Sequence, residues 1–312
     1  MPGHIGERQF SSQHEKRVAD HYAEVTEGFY LTHWHPRHIH FGAFESGERL
    51  QWGAPETDGR LDQALERMID VVIAPAAIGA GDVVVDAACG VGGTALYLAR
   101  NRGCRVIALN ICERQMEVGR ALADEDGLSH LVEFRFSDCS AALCPPSESV
   151  DVVINIEAAC HMSDRGRFLA ECARILKPGG RLVAQDWLAN ANLSPARYRE
   201  HIQPLCDAWS MCSLETKPGY VAKLRSAGLE IVHFVDLTDT TLTNAYLVRD
   251  RCRQLRGARF ANALPESGVA WLERFEYLTR AWFAGQFQIH RYAARKPAGP
   301  SRRPESTGGC HR

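Results

Sequence analysis

The chain carries a strand-turn-helix signal over residues 83–100, and this signal constrains the fold more than any other feature. An apolar, β-branched run ends in Asp86, and a turn of small residues, A-A-C-G-V-G-G, leads into an apolar helical stretch. Strand, glycine-rich turn and helix in this order form a nucleotide-binding crevice, because small residues let the backbone turn sharply and approach a ligand. The glycines do not match G-x-G-x-x-G, and Asp86 would repel a pyrophosphate but attract an ammonium or sulfonium. The turn therefore favours a positively charged ligand over a dinucleotide.

Strands and helices alternate through the middle of the chain and predict an α/β fold. The pattern is typical of a Rossmann-like, doubly wound, mostly parallel seven-stranded sheet with an added helical lid. Predicted strands cover 83–86, 105–109, 132–136, 150–154, 181–185, 230–237 and 287–293, the last returning antiparallel. Predicted helices cover 94–100, 113–125, 165–176 and parts of 194–227, and a further one carries the apolar stripe Trp271, Phe275, Leu278 and Trp282.

Composition along the chain suggests four segments. We expect an N-terminal helical and aromatic lid segment over 1–75, with about the first 17 residues disordered, and a ligand-binding Rossmann-like core over 76–190. Substrate-side helices and the last strands would fill 191–296, and the Pro-, Ser- and Gly-rich stretch 297–312 has the composition of a disordered tail.

Charge and cysteine content limit the partners and the compartment. A net charge of −2 offers no general attraction for nucleic acid or an anionic membrane. No apolar run reaches membrane-spanning length, and the polar N-terminus lacks a signal-peptide core. Eleven cysteines without a C-x-x-C pair are typical of buried thiols in a reducing compartment. We expect a cytoplasmic protein with a small-molecule substrate, no nucleic-acid partner, no membrane insertion and possible homo-oligomerisation.

Two motifs carry a family resemblance. VVVDAACGVGG resembles the first motif of class I S-adenosylmethionine (SAM) methyltransferases, an acid followed by G-x-G-x-G, with Ala88 in place of the first glycine. The stretch from Asn155 to Arg165, with 168–180 behind it, resembles sterol 24-C-methyltransferases and tocopherol and natural-product methyltransferases, and more distantly geranyl diphosphate C-methyltransferase. The resemblance covers roughly residues 80–190 and implies SAM as the cofactor.

The resemblance also implies where SAM would bind, at the carboxyl ends of the first four strands. Asp138 would accept a hydrogen bond from the adenine amino group, Gln115 would lie near the ribose, and Tyr22 would close over the methionine end. Asn110 stands where most relatives have an acidic ribose ligand. An ordinary turn residue, a surface carboxylate and a core tyrosine remain alternatives for Asn110, Asp138 and Tyr22. The implied cofactor-binding residues are Tyr22, Asp86, Ala88, Gly90, Gly92, Asn110, Ile111, Gln115, Asp138, Cys139 and Asn155.

Glu157 and His161 are the candidate catalytic residues. If an alkene attacks the SAM methyl group, the resulting carbocation needs aromatic faces and a base, and the resemblance to prenyl C-methyltransferases implies Glu157 as that base. Glu157 could instead orient the SAM end or hold the N-terminal cap. His161 could act as general base for a hydroxyl acceptor, or support the loop.

The histidine-rich stretch over 32–42 has no cysteine or carboxylate at recognisable ligand spacing, so we expect no metal. It resembles the "W…HFG" stretch that forms part of the lid in this family. His35, Arg37 and His38 could meet an anionic group such as a diphosphate, or belong to a solvated loop. Aromatic residues outside the sheet could line an apolar acceptor pocket: Phe29, Tyr30, Trp34, Phe41, Trp187, Tyr198, Trp209 and Trp282.

These features predict a SAM-dependent methyltransferase of a small apolar or amphipathic metabolite. Carbon methylation of an isoprenoid-like alkene through a carbocation is the first choice, and oxygen or nitrogen methylation of a natural product is the alternative. A SAM-binding protein without catalytic activity is a second class of function. A nucleic-acid methyltransferase is disfavoured, because the chain lacks a basic stripe and the residues after the fourth strand do not match N/D-P-P-Y/F.

Overall fold

A seven-stranded mixed sheet forms the centre of the computed structural model, which describes residues 10–257 and 266–298. The strand order is β3-β2-β1-β4-β5-β7-β6, in which β7 runs antiparallel to both of its neighbours and the other pairs are parallel. The strands are β1 (Val83–Ala87), β2 (Arg105–Asn110), β3 (Val132–Phe136), β4 (Val150–Ile156), β5 (Leu176–Ala189), β6 (Glu230–Asp236) and β7 (Phe287–Arg295). The predicted fold, including the antiparallel last strand, is confirmed.

Helices cover both faces of the sheet, as the near-continuous apolar strands require. Alternate residues of each strand reach opposite faces: Val84 and Val152 join one core cluster, and Val85 and Val153 join the other. The crossover helices are α3 (Gly93–Arg102), α4 (Glu113–Glu125), α5 (Arg165–Ile175) and α8 (Lys217–Ser226). Gly103, at φ +64°, ends α3 in the left-handed conformation that favours glycine.

The lid segment begins with helix α1 (Gln13–Val25) and continues into a π-helical stretch (Thr26–Trp34) before an extended loop. The expectation that the first 17 residues are disordered is wrong from Gln13 onward; residues 1–9 and the predicted tail from 299 lie outside the described residues. Ser12 caps the helix, since its hydroxyl accepts from the backbone N–H of His14 at 3.0 Å, and Glu15 is buried against Ser163. Ser12 and Glu15 form the S-x-x-E capping pattern, a helix-start signal that was present in the sequence.

The remaining helices complete the side of the molecule that carries the lid. They are α2 (Thr57–Ile73), α6 (Pro195–Arg197), α7 (Gln203–Ala208), α9 (Thr238–Arg256) and α10 (Glu266–Phe283), with short 3₁₀ turns at Ala74–Ala76 and Ala159–His161 and a π turn at Tyr198–Ile202. Phe275, Leu278 and Trp282 are buried along α10, which confirms the predicted apolar stripe; the side chain of Trp271 lies outside the described part. One core cluster contains lid, sheet and substrate-side residues alike, among them Trp34, Val84 and Leu247. The four-segment division of the chain stays a prediction.

None of the helices in the described ranges is both long and apolar enough to cross a lipid bilayer.

Candidate active site

A cavity lies at the carboxyl ends of the parallel strands, between the sheet and the lid segment. This is the position at which open α/β sheets bind ligands. Most of the predicted site residues line it: Tyr22, Asp86, Ala88, Gly90, Asn110, Ile111, Gln115, Asp138, Cys139, Glu157 and His161. Gly92 and Asn155 do not. The ligand roles of these residues stay predictions.

Asp86 is a deeply buried carboxylate of the cavity wall, at 3% exposure. Burial raises its pKa to about 7. Its Oδ2 atom has no hydrogen-bond partner within the part of the chain that the structure describes. A buried, unpaired carboxylate oxygen suits a cationic ligand group, as the sequence indicated.

The turn after β1 is built from left-handed backbone. Ala88, Gly90 and Gly92 have φ values of +61°, +58° and +84°. Ala88 thus adopts a conformation that favours the glycine it replaces. Gly92 is needed for packing and not for lining the cavity, because a Cβ atom there would lie 2.5 Å from the Phe134 ring.

Asn110 holds the turn in place with its own side chain. Its amide group donates to the carbonyl oxygen of Gly90 at 3.0 Å and to Oε1 of Gln115 at 2.9 Å, and its oxygen accepts from the backbone N–H of Cys112 at 3.0 Å. Asn110 therefore has a structural role that an acidic ribose ligand could not fill in the same way, because a carboxylate donates no hydrogen bond. Nε2 of Gln115 is buried without a partner among the described residues and remains available for a ligand.

Asp138 joins the predicted adenine end of the cavity to the lid. Its Oδ1 accepts from the backbone N–H of Ser140 at 3.0 Å, and its Oδ2 accepts from that of Ser11 at 2.7 Å. Cys139 beside it is buried in the cavity wall. Asn155 instead fastens the ends of two elements together, since its amide donates to the Ala87 carbonyl at 2.8 Å and its oxygen accepts from the Ala159 N–H at 3.1 Å.

Glu157 reaches across the cavity and holds the lid. It lies in left-handed backbone at φ +52°, and its Oε1 accepts from the backbone N–H of Phe41 at 2.8 Å and from Nε2 of Gln185 at 3.0 Å. Burial raises its pKa to about 7, although these two hydrogen bonds act against the rise. The geometry matches the alternative in which this glutamate holds the N-terminal cap. Gln185, its support on β5, was missed because no sequence pattern couples these two positions.

His161 and Tyr22 meet inside the cavity. The Tyr22 hydroxyl lies 2.9 Å from Nε2 of His161, and the ring of His14 contacts the His161 carbonyl oxygen at 2.8 Å. Burial lowers the pKa of His161 to about 3, with the charges of His21 and Arg165 acting in the same direction, so its imidazole is neutral at pH 7. Burial raises the pKa of Tyr22 well above its ordinary value, so its hydroxyl keeps its proton.

Aromatic side chains form the wall opposite the sheet turn. Phe41 stacks on Trp187 with ring centroids 5.6 Å apart, Trp187 meets Trp209 edge-on at 5.1 Å, and Tyr30 stacks on Tyr22 at 6.2 Å. Five of the eight predicted aromatic residues line the cavity: Tyr30, Trp34, Phe41, Trp187 and Trp209. Tyr198 instead accepts from the backbone of Leu214, Trp282 packs behind Phe41, and the side chain of Phe29 lies outside the described part.

The basic residues of the lid are paired within the protein. Nη1 of Arg37 contacts Oδ2 of Asp126 at 2.6 Å, and Nε2 of His35 contacts Oδ1 of Asp62 at 2.8 Å. The structure therefore places Arg37 and His35 against carboxylates and not toward an anionic ligand. Among the residues with described positions, no group of three or more histidine, cysteine or acidic side chains is arranged to hold a metal ion.

Besides Gln185, Glu15 and Gly93 also belong to this site and were not found from the sequence. Glu15 lines the cavity from α1, a segment whose capping pattern was overlooked. Gly93 lies directly under the lid: a Cβ atom there would stand 2.0 Å from the carbonyl oxygen of Arg37. No sequence pattern near Gly93, other than the glycine itself, predicts such a close contact with a distant part of the chain.

Comparison with known proteins agrees with this geometry. Residues 85–184 match the family model described as "Methyltransferase domain". A relative named 27-O-demethylrifamycin SV methyltransferase, from Amycolatopsis mediterranei (strain S699), is 30% identical over 212 residues, which cover 67% of this chain and 77% of the relative. The chain belongs to the class I SAM-dependent methyltransferases.

Further matches agree with membership of this family. Methyltransferase GfsG from Streptomyces halstedii is 29% identical over 261 residues, covering 84% of this methyltransferase and 90% of that protein. The crystal structure of the [4+2]-cyclase SpnF superposes with a TM-score of 0.75 at 24% identity, covering 91% of this chain and 97% of that one. That likeness shows the fold alone. The methyltransferase uses SAM and acts on small metabolites; its oligomeric state and cytoplasmic location stay predictions.

Proposed function

We propose that this methyltransferase transfers the SAM methyl group to a hydroxyl oxygen of a small hydrophobic natural product, with His161 as the general base. The single observation that supports this most directly is the 2.9 Å contact between the Tyr22 hydroxyl and Nε2 of His161 inside the cavity. An acceptor hydroxyl could take the place of the tyrosine hydroxyl at Nε2, or pass its proton through it. The name of the rifamycin relative describes a transfer to oxygen.

The proton balance of this reaction suits the site. When bound, SAM supplies an activated methyl group on a sulfonium. As the new carbon–oxygen bond forms and the carbon–sulfur bond breaks, the hydroxyl oxygen becomes positively charged and strongly acidic. Nε2 of His161 takes that proton, and its imidazole is neutral beforehand because burial lowers its pKa to about 3. A weakly basic imidazole is sufficient for so acidic a proton.

Carbon methylation of an isoprenoid-like alkene remains a second candidate, because Glu157 favours it. Burial raises the pKa of Glu157 to about 7, near the value that suits a base at neutral pH. The stacked Phe41 and Trp187 rings could stabilise a carbocation. Against it, Oε1 of Glu157 already accepts two hydrogen bonds from the protein.

The position of the transferred methyl group distinguishes the two candidates. Purified enzyme is incubated with ¹³C-methyl SAM and metabolite extracts, and the labelled products are separated and examined by carbon–proton correlation NMR. A methyl carbon bonded to oxygen resonates far downfield of one bonded to carbon. An oxygen-bound label supports the proposal, and a carbon-bound label with no oxygen-bound product contradicts it.

Variants test the assigned base. We expect His161→Asn to lower kcat about 10²- to 10⁴-fold, the usual contribution of a general base, with the affinity for S-adenosylhomocysteine (SAH) retained. Tyr22→Phe should lower kcat less. His130→Asn, a change at an exposed histidine away from the cavity, is the matched control. Near-normal turnover of His161→Asn would contradict the assignment of His161 as the general base.

A further inference from the structure

The strongest cation of the cavity wall is neutralised by the protein itself. Nη1 of Arg37 contacts Oδ2 of Asp126 at 2.6 Å, and Nη2 of Arg100 contacts the same oxygen at 2.6 Å. The Asp126 side chain is only 14% exposed, so its charge is shared between these two arginines at the end of α4. If Arg37 turned toward a ligand, it would break its ion pair with the largely buried Asp126, which is unfavourable.

The histidines of the same stretch are neutral and cannot supply a positive charge in place of that of Arg37. The rings of His38 and His40 are buried, with centroids 5.2 Å apart, and burial lowers both pKa values, that of His40 to about 4. Nδ1 of His40 lies 3.1 Å from the Phe41 carbonyl oxygen and must therefore be the protonated nitrogen of a neutral ring.

Carboxylates outnumber cations around the cavity. Together with His161, the three lid residues Arg37, His38 and His40 are all the basic residues in the described part of the cavity wall, and each is either paired or neutral at pH 7. Four acidic residues line the same space: Glu15, Asp86, Asp138 and Glu157. A phosphate or diphosphate entering this cavity would lose its hydration without gaining an unpaired positive partner, which is strongly unfavourable.

Trp34 offers a different kind of contact. Its ring lies against Phe41 at 6.0 Å and Trp52 at 5.9 Å, it lines the cavity, and it is 8% exposed. Nε1 of Trp34 is buried with no hydrogen-bond partner in the described parts of the chain. An indole N–H can only donate, and a buried donor without an acceptor is rare in native proteins.

We infer that the methyl acceptor carries no anionic group and has an oxygen atom that accepts a hydrogen bond from the Trp34 indole N–H, and that phosphorylated isoprenoids are excluded. The inference rests on the proposed function in one respect, that this cavity receives the methyl acceptor. It holds whether the methyl group goes to oxygen or to carbon.

Three probes with the same ten-carbon skeleton test it by binding alone: geraniol, geranyl diphosphate with and without Mg²⁺, and 2,6-dimethyl-2,6-octadiene. Each is titrated into SAH-saturated, ¹⁵N-labelled enzyme while the tryptophan indole signals are followed. Trp34→Phe assigns the Trp34 signal, and Trp52→Phe serves as the matched control. Thermal unfolding and SAH affinity verify that both variants are folded.

Geraniol should move the Trp34 indole proton downfield, whereas the hydrocarbon should not. Trp34→Phe should weaken geraniol binding roughly three- to tenfold, the effect of one neutral hydrogen bond, and leave hydrocarbon binding unchanged. Geranyl diphosphate should bind at least about tenfold more weakly than geraniol. If Trp34→Phe does not fold, the wild-type affinities for geraniol and geranyl diphosphate still test the inference.

Three results would overturn the inference: geranyl diphosphate binding as tightly as geraniol, bound geraniol leaving the Trp34 signal unmoved, or geraniol failing to bind. None of these readouts depends on catalysis. A carbon-bound ¹³C label in the product experiment would therefore contradict the proposed function while leaving this inference intact.

Discussion

Replacing Glu157 with glutamine separates its two possible roles, base and lid anchor. Oε1 of Glu157 accepts from the Phe41 N–H at 2.8 Å and from Nε2 of Gln185 at 3.0 Å. A carboxamide oxygen accepts the same two hydrogen bonds, so Glu157→Gln should hold the lid and bind SAH as the wild type does. It cannot remove a proton from a carbocation. Glu157→Ala removes the anchor as well.

The charge change has a calculable effect on stability. Burial raises the pKa of Glu157 from 4.5 to about 7, which corresponds to about 3 kcal/mol at about 1.4 kcal/mol per pH unit. Because the folded-state pKa is raised, the wild type has its full stability below pH 4.5 and loses this contribution as the pH rises to about 7. Glutamine does not ionise. Relative to the wild type, Glu157→Gln should therefore gain up to about 3 kcal/mol of unfolding free energy between pH 4.5 and pH 8.

Urea unfolding at pH 5 and pH 8, calorimetry with SAH, and turnover together check this reasoning. For a hydroxyl acceptor, kcat of Glu157→Gln should stay within about threefold of the wild type; for an alkene acceptor it should fall at least about 10²-fold. Loss of two hydrogen bonds in Glu157→Ala should weaken SAH binding by about 1–3 kcal/mol, roughly 5- to 150-fold. Equal SAH affinities of the two variants would refute the lid anchor, and a stability difference that does not change with pH would refute the raised pKa.

Three further predictions concern the turn after β1. Burial raises the pKa of Asp86 to about 7, so if its carboxylate binds the ammonium of SAH, affinity should fall roughly tenfold per pH unit below pH 7, and Asp86→Asn should abolish this dependence in calorimetry. Ala88→Gly relieves a φ of +61° and should raise the unfolding free energy by about 1 kcal/mol in urea titrations; a destabilised variant would show that the methyl group packs usefully. Gly93→Ala puts a Cβ atom 2.0 Å from the Arg37 carbonyl oxygen, so SAH should bind at least about tenfold more weakly, while Gly59→Ala, whose added Cβ meets nothing, should bind normally.

Local patterns were sufficient to predict the sheet and one side of the cavity. The β-branched runs, the small-residue turn after Asp86 and the Pro-Gly-Gly near the start of the long strand β5 each determine backbone conformation within a few residues. Parallel strands bring their carboxyl ends to one edge, so Asp86, Asn110 and Asp138 could be expected at one crevice. The start of α1 was also encoded locally, in the capping pattern of Ser12 and Glu15, and was overlooked.

Contacts between distant parts of the chain determined the rest. Whether Arg37 faces a ligand or Asp126, and whether Glu157 is free or bound to Phe41, depends on where the lid packs over the sheet. The pKa values of Glu157 and His161 likewise follow from burial, which is a property of the folded chain. The amino-acid sequence alone therefore determined the fold and the position of the crevice at the strand ends, because both follow from patterns of near neighbours in the chain. Which side chains remain free for chemistry was decided only by tertiary structure, because hydrogen bonds and burial join residues far apart in the chain, such as Phe41 and Glu157, which are 116 positions apart.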